Sequence, residues 1–232
     1  MIYIITGSSS GIGKACALFY LERGNKVIGL ARSNSIEHQL YTHIICDLSK
    51  IKDLKKLDLS SYLANDSKVV LINNAGTIGK IERTPEIDLQ TFYEVANLNI
   101  VALQFLCAHI LKIKGFEQVD TIINISSGAG RRPIASWAAY CASKAAVDLF
   151  SETLLAEIKE LNGKTKIYSV APGVVDTKMQ VAIRSSNEES FSSHGKFVDL
   201  KEKNELRTPE KVAELLADLI SSPQQGDVIC RL

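Results

Sequence analysis

Tyr140 and Lys144 are the residues whose types and spacing could together carry proton chemistry. They stand four positions apart in a stretch with helical periodicity, so both side chains would lie on one helix face. A phenol has an ordinary pKa of about 10, and a fixed ammonium group beside it would lower that pKa by favouring the phenolate. Ordinary pairs on helix surfaces have the same spacing. The pair therefore needs its context before it indicates an acid–base site.

Ser127 is a third residue that could take part in such chemistry. It follows Ser126 at the end of a β-branched segment and precedes Tyr140 by thirteen positions. A hydroxyl group there could hydrogen-bond a carbonyl oxygen and stabilise negative charge that builds on it. The same hydroxyl could instead only cap the end of a strand.

A glycine-rich turn, TGSSSGIG at residues 6–13, lies between an apolar segment and a helical one. Gly7 permits a tight turn, Gly11 lets the backbone approach a pyrophosphate, and Gly13 allows close packing of helix on strand. The N-terminus of the helix would offer unpaired N–H groups and a positive dipole to the phosphates. A small-residue turn without a ligand is the alternative, but the position after a first strand favours a dinucleotide site.

Short apolar segments alternate with longer helical ones along the whole chain. The predicted strands cover residues 2–6, 26–31, 43–46, 69–73, 121–126, 166–171 and 227–230. The predicted helices cover residues 11–23, 50–63, 89–112, 137–161 and 209–221. This alternation predicts an α/β Rossmann fold, a doubly wound parallel sheet of about seven strands with helices on both faces.

The strand ends of such a sheet should gather the motifs in one place. Ligands of doubly wound sheets bind outside the carboxyl ends of the strands. The cleft should therefore be lined by the residues that follow Thr6, Ala31, Cys46, Asn73, Ser126 and Ala171. Residues 178–207 are rich in Ser, Glu, Lys and His and have no clear periodicity, so we expect a mobile substrate lid there within a single domain of residues 1–232.

The composition excludes several classes of protein. The formal net charge of +1 gives no attraction for nucleic acid or membrane surfaces. Five scattered cysteines without a CxxC pair argue against a disulfide framework and against a zinc site, and we expect no metal. The sequence begins in an apolar strand without the pattern of a signal peptide, and we expect no membrane span. A cytoplasmic protein is predicted.

These motifs, taken in order, resemble those of the short-chain dehydrogenase/reductase family over essentially the whole chain. The Gly-x-x-x-Gly-x-Gly turn is followed by Asn73-Asn74-Ala75-Gly76, by Asn99, by Ser127, by the YxxxK of Tyr140 and Lys144, and by a PGxxxT segment at residues 172–177. The resemblance implies hydride transfer between a nicotinamide and a carbonyl group, with Tyr140 as proton donor. It also makes Asn99, rather than Asn97, the asparagine of the site.

The resemblance assigns roles residue by residue. The implied catalytic residues are Asn99, Ser127, Tyr140 and Lys144. The implied cofactor-binding residues are Gly7, Ser9, Ser10, Gly11, Ile12, Gly13, Arg32, Ser33, Asp47, Leu48, Asn74, Ala75, Gly76, Tyr140, Lys144, Pro172, Gly173, Val175 and Thr177. The implied substrate-binding residues are Ser127, Trp137, Tyr140 and Met179.

The end of the second strand predicts that the cofactor is NADP(H). NAD-specific Rossmann sites carry an acid there that binds the ribose 2′-hydroxyl. This chain has Ala31 in that place, followed by Arg32 and Ser33. A guanidinium can bind a 2′-phosphate through two N–H groups, and the serine could add a hydroxyl. A merely solvent-exposed Arg32 is the alternative.

The substrate is less well indicated. The segment after Ala171 resembles sepiapterin reductases and bacterial benzil reductases, but Cys230 stands where sepiapterin reductases have an Asp that binds the pterin. A ketone or diketone is therefore expected as the small-molecule substrate. A 3-oxoacyl-carrier-protein reductase, with Arg131 and Arg132 near the carrier arm, is one alternative, and a non-catalytic nucleotide-sensing protein is another. The family pairs its two long helices, so a homodimer or homotetramer is expected.

Overall fold

Seven parallel strands form one sheet in the computed structural model, which describes residues 1–64, 67–223 and 227–232. The strands are β1 (Ile2–Thr6), β2 (Lys26–Ala31), β3 (Tyr41–Ile45), β4 (Val69–Asn73), β5 (Val119–Ile125), β6 (Lys166–Ala171) and β7 (Ile229–Arg231). Their order is β3-β2-β1-β4-β5-β6-β7, so the order reverses between β1 and β4. This is the predicted doubly wound Rossmann sheet, and its reversal point is where such sheets bind dinucleotides.

Helices cover both faces of the sheet. Those among the described residues are α1 (Gly11–Leu21), α2 (Ile51–Lys56), α3 (Leu89–Ala96), α4 (Ala102–Gln118), α5 (Ala138–Glu160), α6 (Lys178–Arg184), α7 (His194–Glu202) and α8 (Pro209–Ser221). In β1, Ile4 packs into the core that includes residues of α4 and α5, whereas Ile5 packs into the core that includes residues of α1 and α8. This alternation explains why the strand is apolar on both faces from Ile2 to Ile5.

The stretch predicted as one helix over residues 89–112 is three pieces. Asp88 caps α3 by accepting a hydrogen bond from the Thr91 N–H, a π-helical turn covers Asn97–Val101, and α4 follows to Gln118. The stretch Leu89–Gln118 is long and apolar enough to cross a membrane, judged by length and composition only. Leu106 and Ile110 of this stretch are buried in the core, as in the core helix of a globular domain.

Several predicted boundaries are wrong by a few residues. The helix predicted over 50–63 ends at Lys56, because the side chain of Asp58 accepts a hydrogen bond from the Ser60 N–H and starts a separate turn. The third and seventh strands, predicted at 43–46 and 227–230, lie at Tyr41–Ile45 and Ile229–Arg231, where they pair with β2 and β6.

Residues 178–207, called the cap segment below, are largely helical rather than irregular. They form α6 and α7, and Ile183, Phe191 and Phe197 of this segment belong to a third apolar cluster with Trp137 and Tyr140. The aromatic residues are too few and too widely spaced for a helical period to be visible in the sequence. The cap segment thus packs directly over the residues at the start of α5.

Candidate active site

The glycine-rich turn packs tightly against the loop that follows β4. Gly7 adopts a positive φ of 67°, which a residue with a side chain would adopt only with strain. A Cβ atom on Gly13 would lie 2.4 Å from the backbone oxygen of Gly7, so only glycine fits there. The hydroxyl of Thr6 accepts hydrogen bonds from the N–H groups of Asn74 and Ala75. The turn and the Asn-Asn-Ala-Gly loop are therefore one rigid unit.

The start of α1 fits the phosphates of a dinucleotide. The structure describes the whole first turn of α1, and that turn carries no acidic residue that would repel an anion. The side chain of Ser10, at the N-cap, forms no hydrogen bond with the N–H groups of this turn. Thr177 lies directly opposite Gly11, because a Cβ atom on Gly11 would lie 3.1 Å from Cγ2 of Thr177. Gly7, Ser9, Ser10, Ile12 and Gly11 line the cleft, whereas Gly13 acts behind it through packing.

Asn73 stabilises the sheet from within. Its Nδ2 donates a hydrogen bond to Oδ1 of Asn124 on β5 over 2.9 Å, and Nδ2 of Asn124 donates to the hydroxyl of Ser151 on α5. These buried polar groups connect β4, β5 and α5. The network holds the helix that carries Tyr140 and Lys144 in a fixed position above the sheet.

Tyr140 and Ser127 meet at the carboxyl end of β5. Both side chains line the cleft, and Oγ of Ser127 accepts a hydrogen bond from the Ala129 N–H over 3.2 Å. Burial raises the pKa of Tyr140 to about 12, and the neighbouring hydroxyl of Ser127 lowers it by less. The lowered pKa of Tyr140 that we expected from the sequence is therefore wrong, because the loss of water outweighs the favourable contacts.

Lys144 lies one turn along α5 and is also buried. Its Nζ donates a hydrogen bond to the backbone oxygen of Ile125 over 2.7 Å and lies 5.6 Å from the centre of the Tyr140 ring. Burial lowers the pKa of Lys144 to about 8, and the carboxylate of Asp148 raises it by less. The sequence analysis missed Asp148, although its place four residues after Lys144 puts it on the same helix face.

Asn99 acts from behind the cleft rather than from its wall. Its Nδ2 donates hydrogen bonds to the backbone oxygen of Thr77 over 2.8 Å and to the hydroxyl of Ser143 over 3.0 Å, and its Oδ1 accepts from the Thr77 N–H. A Cβ on Gly76 would lie 3.3 Å from this Oδ1 and 3.7 Å from Nζ of Lys144. Asn97 is the neighbour that lines the cleft.

The predicted cofactor residues at the end of β2 divide into two groups. Arg32 lines the cleft, whereas Ser33 is exposed and lies outside the described wall of the cleft. After β3, Asp47 accepts a hydrogen bond of 2.7 Å from the hydroxyl of Ser49, and Leu48 is buried. Further cofactor residues of the sequence analysis that line the cleft are Asn74, Ala75, Gly76, Pro172, Gly173, Val175 and Thr177.

The substrate side of the cleft is aromatic. Trp137 is buried, meets the Tyr140 ring edge-to-face at 5.7 Å and stacks on Phe191 of the cap segment at 5.4 Å. Met179 and Phe197 also line the cleft, and the sequence analysis named only the first of these. The whole cleft has a volume of about 1180 Å³, enough for an extended cofactor together with a small molecule.

Comparison with known proteins agrees with this geometry. The family model of the short chain dehydrogenases matches residues 1–188. The chain belongs to the short-chain dehydrogenase family. It is 35% identical to a benzil reductase of Bacillus cereus that forms (S)-benzoin, over 97% of both chains. This short-chain dehydrogenase is also 30% identical to the NADPH-dependent pterin aldehyde reductase of Arabidopsis thaliana, over 76% of this chain and 75% of that one.

The structure of a short-chain dehydrogenase/reductase from Saccharomyces cerevisiae superimposes on this chain with a TM-score of 0.86. The two chains are 28% identical, and the match covers 99% of this chain and 95% of the yeast chain. Their agreement extends through the cap segment and β7, beyond the residues that the family model matches. The chain is thus an oxidoreductase of this family along its full described length.

Proposed function

We propose that this short-chain dehydrogenase is an NADPH-dependent carbonyl reductase in which Tyr140 donates the proton. The observation that carries the proposal is that Ser127, Lys144 and the buried phenol of Tyr140 line one cleft at the carboxyl ends of the strands. A bound nicotinamide would supply the hydride to the carbonyl carbon. As negative charge builds on the carbonyl oxygen, Ser127 donates a hydrogen bond to it and Tyr140 transfers its proton to it.

Lys144 and Asn99 support this proton transfer. Loss of the proton leaves a phenolate on Tyr140, and the nearby ammonium of Lys144 stabilises that negative charge. Lys144 also has the position to hold the nicotinamide ribose. Since both N–H groups of the Asn99 side chain are used by Thr77 and Ser143, we propose that its backbone carbonyl holds a water molecule, which passes protons through Lys144 to Tyr140.

NADPH is proposed over NADH because of the end of β2. Arg32 lines the cleft directly after Ala31, where an acid would otherwise bind the ribose hydroxyls. A guanidinium there offers two N–H groups to a 2′-phosphate. The NADPH-dependent relative from Arabidopsis thaliana supports this choice.

For the substrate we propose a small ketone or diketone. The similarity to a benzil reductase over 97% of the chain supports a diketone. Trp137 and Met179 would contact its apolar part, and the cap segment would act as a lid over it within a single domain of residues 1–232. A 3-oxoacyl-carrier-protein reductase is the second candidate, favoured by Arg131 and Arg132 in the cleft wall.

We further propose that the enzyme works as a homodimer or homotetramer in the cytoplasm, without a nucleic-acid or membrane partner. Its two long helical stretches carry exposed apolar residues, among them Tyr93 and Leu149. Such residues would be buried if the helices of two copies packed together.

The test is Tyr140→Phe, assayed with NADPH and benzil by the loss of NADPH absorbance. Removal of the proton donor should lower kcat by roughly 100-fold or more, while NADPH binding, measured by fluorescence, stays within about twofold. Tyr93→Phe is the matched control, because Tyr93 lines the cleft but is exposed on α3. Unchanged kcat in Tyr140→Phe would refute the assigned role, and equal rates with benzil and acetoacetyl thioesters would favour the second candidate.

A further inference from the structure

Arg132 places a guanidinium group beside the serine of the active site. A side chain on Gly128, the residue after Ser127, would begin 3.7 Å from Nη2 and 3.8 Å from Nε of Arg132. Gly128–Gly130 forms the short turn that follows Ser127, and Arg132 comes just after it in the wall of the cleft. Because residue 128 has no side chain, that edge of the guanidinium is left uncovered next to Ser127.

The guanidinium of Arg132 has no carboxylate partner within the described part of the chain. Its neighbour Arg131 differs, since Nε of Arg131 lies 3.8 Å from Oδ2 of Asp148. The other carboxylate oxygen of Asp148 accepts a hydrogen bond of 2.6 Å from the hydroxyl of Ser169. Asp148 therefore already has two partners, Arg131 and Ser169, and no carboxylate of the described residues forms an ion pair with Arg132.

The rest of the described cleft wall offers little negative charge to Arg132. Its acidic residues are Asp47, Glu94 and Asp148. Asp47 follows β3, on the opposite side of the sheet's reversal point, and forms a 3.4 Å ion pair with Lys50. Glu94 forms a hydrogen bond with Gln90 one turn earlier on α3. Further positive charge comes from Lys178 and Arg231, which line the same cleft.

We propose that Arg132 binds a carboxylate carried by the carbonyl substrate, so that oxo acids are the preferred substrate class. This inference rests on the carbonyl reductase function proposed above. A carboxylate accepts two parallel hydrogen bonds from a guanidinium, which fixes both its position and its orientation. With the acid end held beside Gly128, the ketone of the same molecule would lie against Ser127 and Tyr140. A neutral ketone lacks this contact and binds through its apolar part alone.

The test compares oxo acids with their methyl esters in the wild type and in Arg132→Gln. Phenylglyoxylate, 3-oxo-3-phenylpropanoate and 4-oxo-4-phenylbutanoate place the carboxylate at increasing distances from the ketone, and each ester removes only the charge. The readout is the ratio of kcat/KM for each acid to that for its ester, with NADPH. We expect the wild type to prefer the acid at one chain length or more, and Arg132→Gln to lower that ratio roughly 10- to 100-fold.

Arg131→Gln is the matched control, because it removes the same charge from the adjacent residue while Arg132 stays in place. Its acid-to-ester ratio should stay within about twofold of the wild type, whereas a loss equal to that of Arg132→Gln would show a general effect of positive charge and overturn the assignment. The assignment is also overturned if the wild type prefers the ester at every length. Wild-type activity on benzil separates the two proposals: activity without any acid preference refutes this inference alone, and inactivity on all carbonyls refutes the carbonyl reductase.

Discussion

Tyr140 lies in surroundings that keep its phenol protonated until a carbonyl oxygen needs the proton. Burial raises the pKa of Tyr140 and lowers that of Lys144, so it favours the neutral form of both groups. A neutral phenol is the correct form for a proton donor. The nearby ammonium matters afterwards, because it stabilises the phenolate that proton transfer leaves behind. Ser127, which lines the same cleft, would hydrogen-bond the substrate oxygen as the charge builds on it.

Arg32→Gln tests the cofactor at the residue scale. Loss of the guanidinium should raise the KM for NADPH by roughly 10- to 100-fold through the lost contact with the 2′-phosphate, with little change in the KM for NADH. Steady-state kinetics with both cofactors and benzil provide the measurement. Arg23→Gln is the control, since Arg23 packs on Phe19 away from the cleft. An equal rise in KM for NADPH and NADH would mean that Arg32 does not contact the 2′-phosphate.

Motifs that follow strands could be predicted from the sequence, because parallel strands bring their carboxyl ends together. The positions of Gly7, Ser127 and Thr177 at the cleft follow directly from that rule. What failed was the direction of single side chains. Packing between distant segments decides whether the amide of Asn99 faces the cleft or Thr77. It also decides how strongly Tyr140 is desolvated. The spacing of residues along the chain does not contain this information.

At the scale of elements, the prediction succeeded for strands with a continuous run of apolar residues. It failed for short helical segments. The strands β1, β2, β4 and β6 have the predicted bounds, because most of their residues are apolar and are buried in a parallel sheet. The π-helical turn Asn97–Val101 has no pattern of its own, since it interrupts a stretch that is helical on both sides. The two helices of the cap segment have little periodicity, because a few aromatic contacts hold them rather than a continuous apolar face.

Phe191→Ala tests whether the cap segment is anchored as a unit. Phe191 is fully buried between Trp137 and Phe197, with ring centres at 5.4 and 5.8 Å. Its truncation should lower the free energy of unfolding by about 3–5 kcal/mol in denaturant titrations. Val181→Ala is the control on the same segment, because Val181 is 53% exposed, and it should cost at most about 0.5 kcal/mol. A loss below about 1 kcal/mol for Phe191→Ala would contradict this packing.

At the scale of the whole molecule, the exposed face of α3 and α5 is the feature that a single copy leaves unexplained. Leu149 is 66% exposed and Tyr93 is 58% exposed. Ala145 and Ala142 lie one and two turns before Leu149 on the same exposed side of α5. Small and apolar residues in such a row allow two helices to approach closely. The face therefore suits the packing of α5 against α5 of a second copy.

Leu149→Glu tests this association. The wild type should have the mass of a dimer or tetramer. In the variant, two like charges would be brought together in an apolar interface, so the variant should shift to a smaller species. Light scattering after size-exclusion chromatography measures both masses. Leu161→Glu is the control, because Leu161 is 62% exposed but lies just beyond the end of α5. The mass of this variant should equal that of the wild type. A monomeric wild type, or an unchanged mass for Leu149→Glu, would rule out this face as the interface.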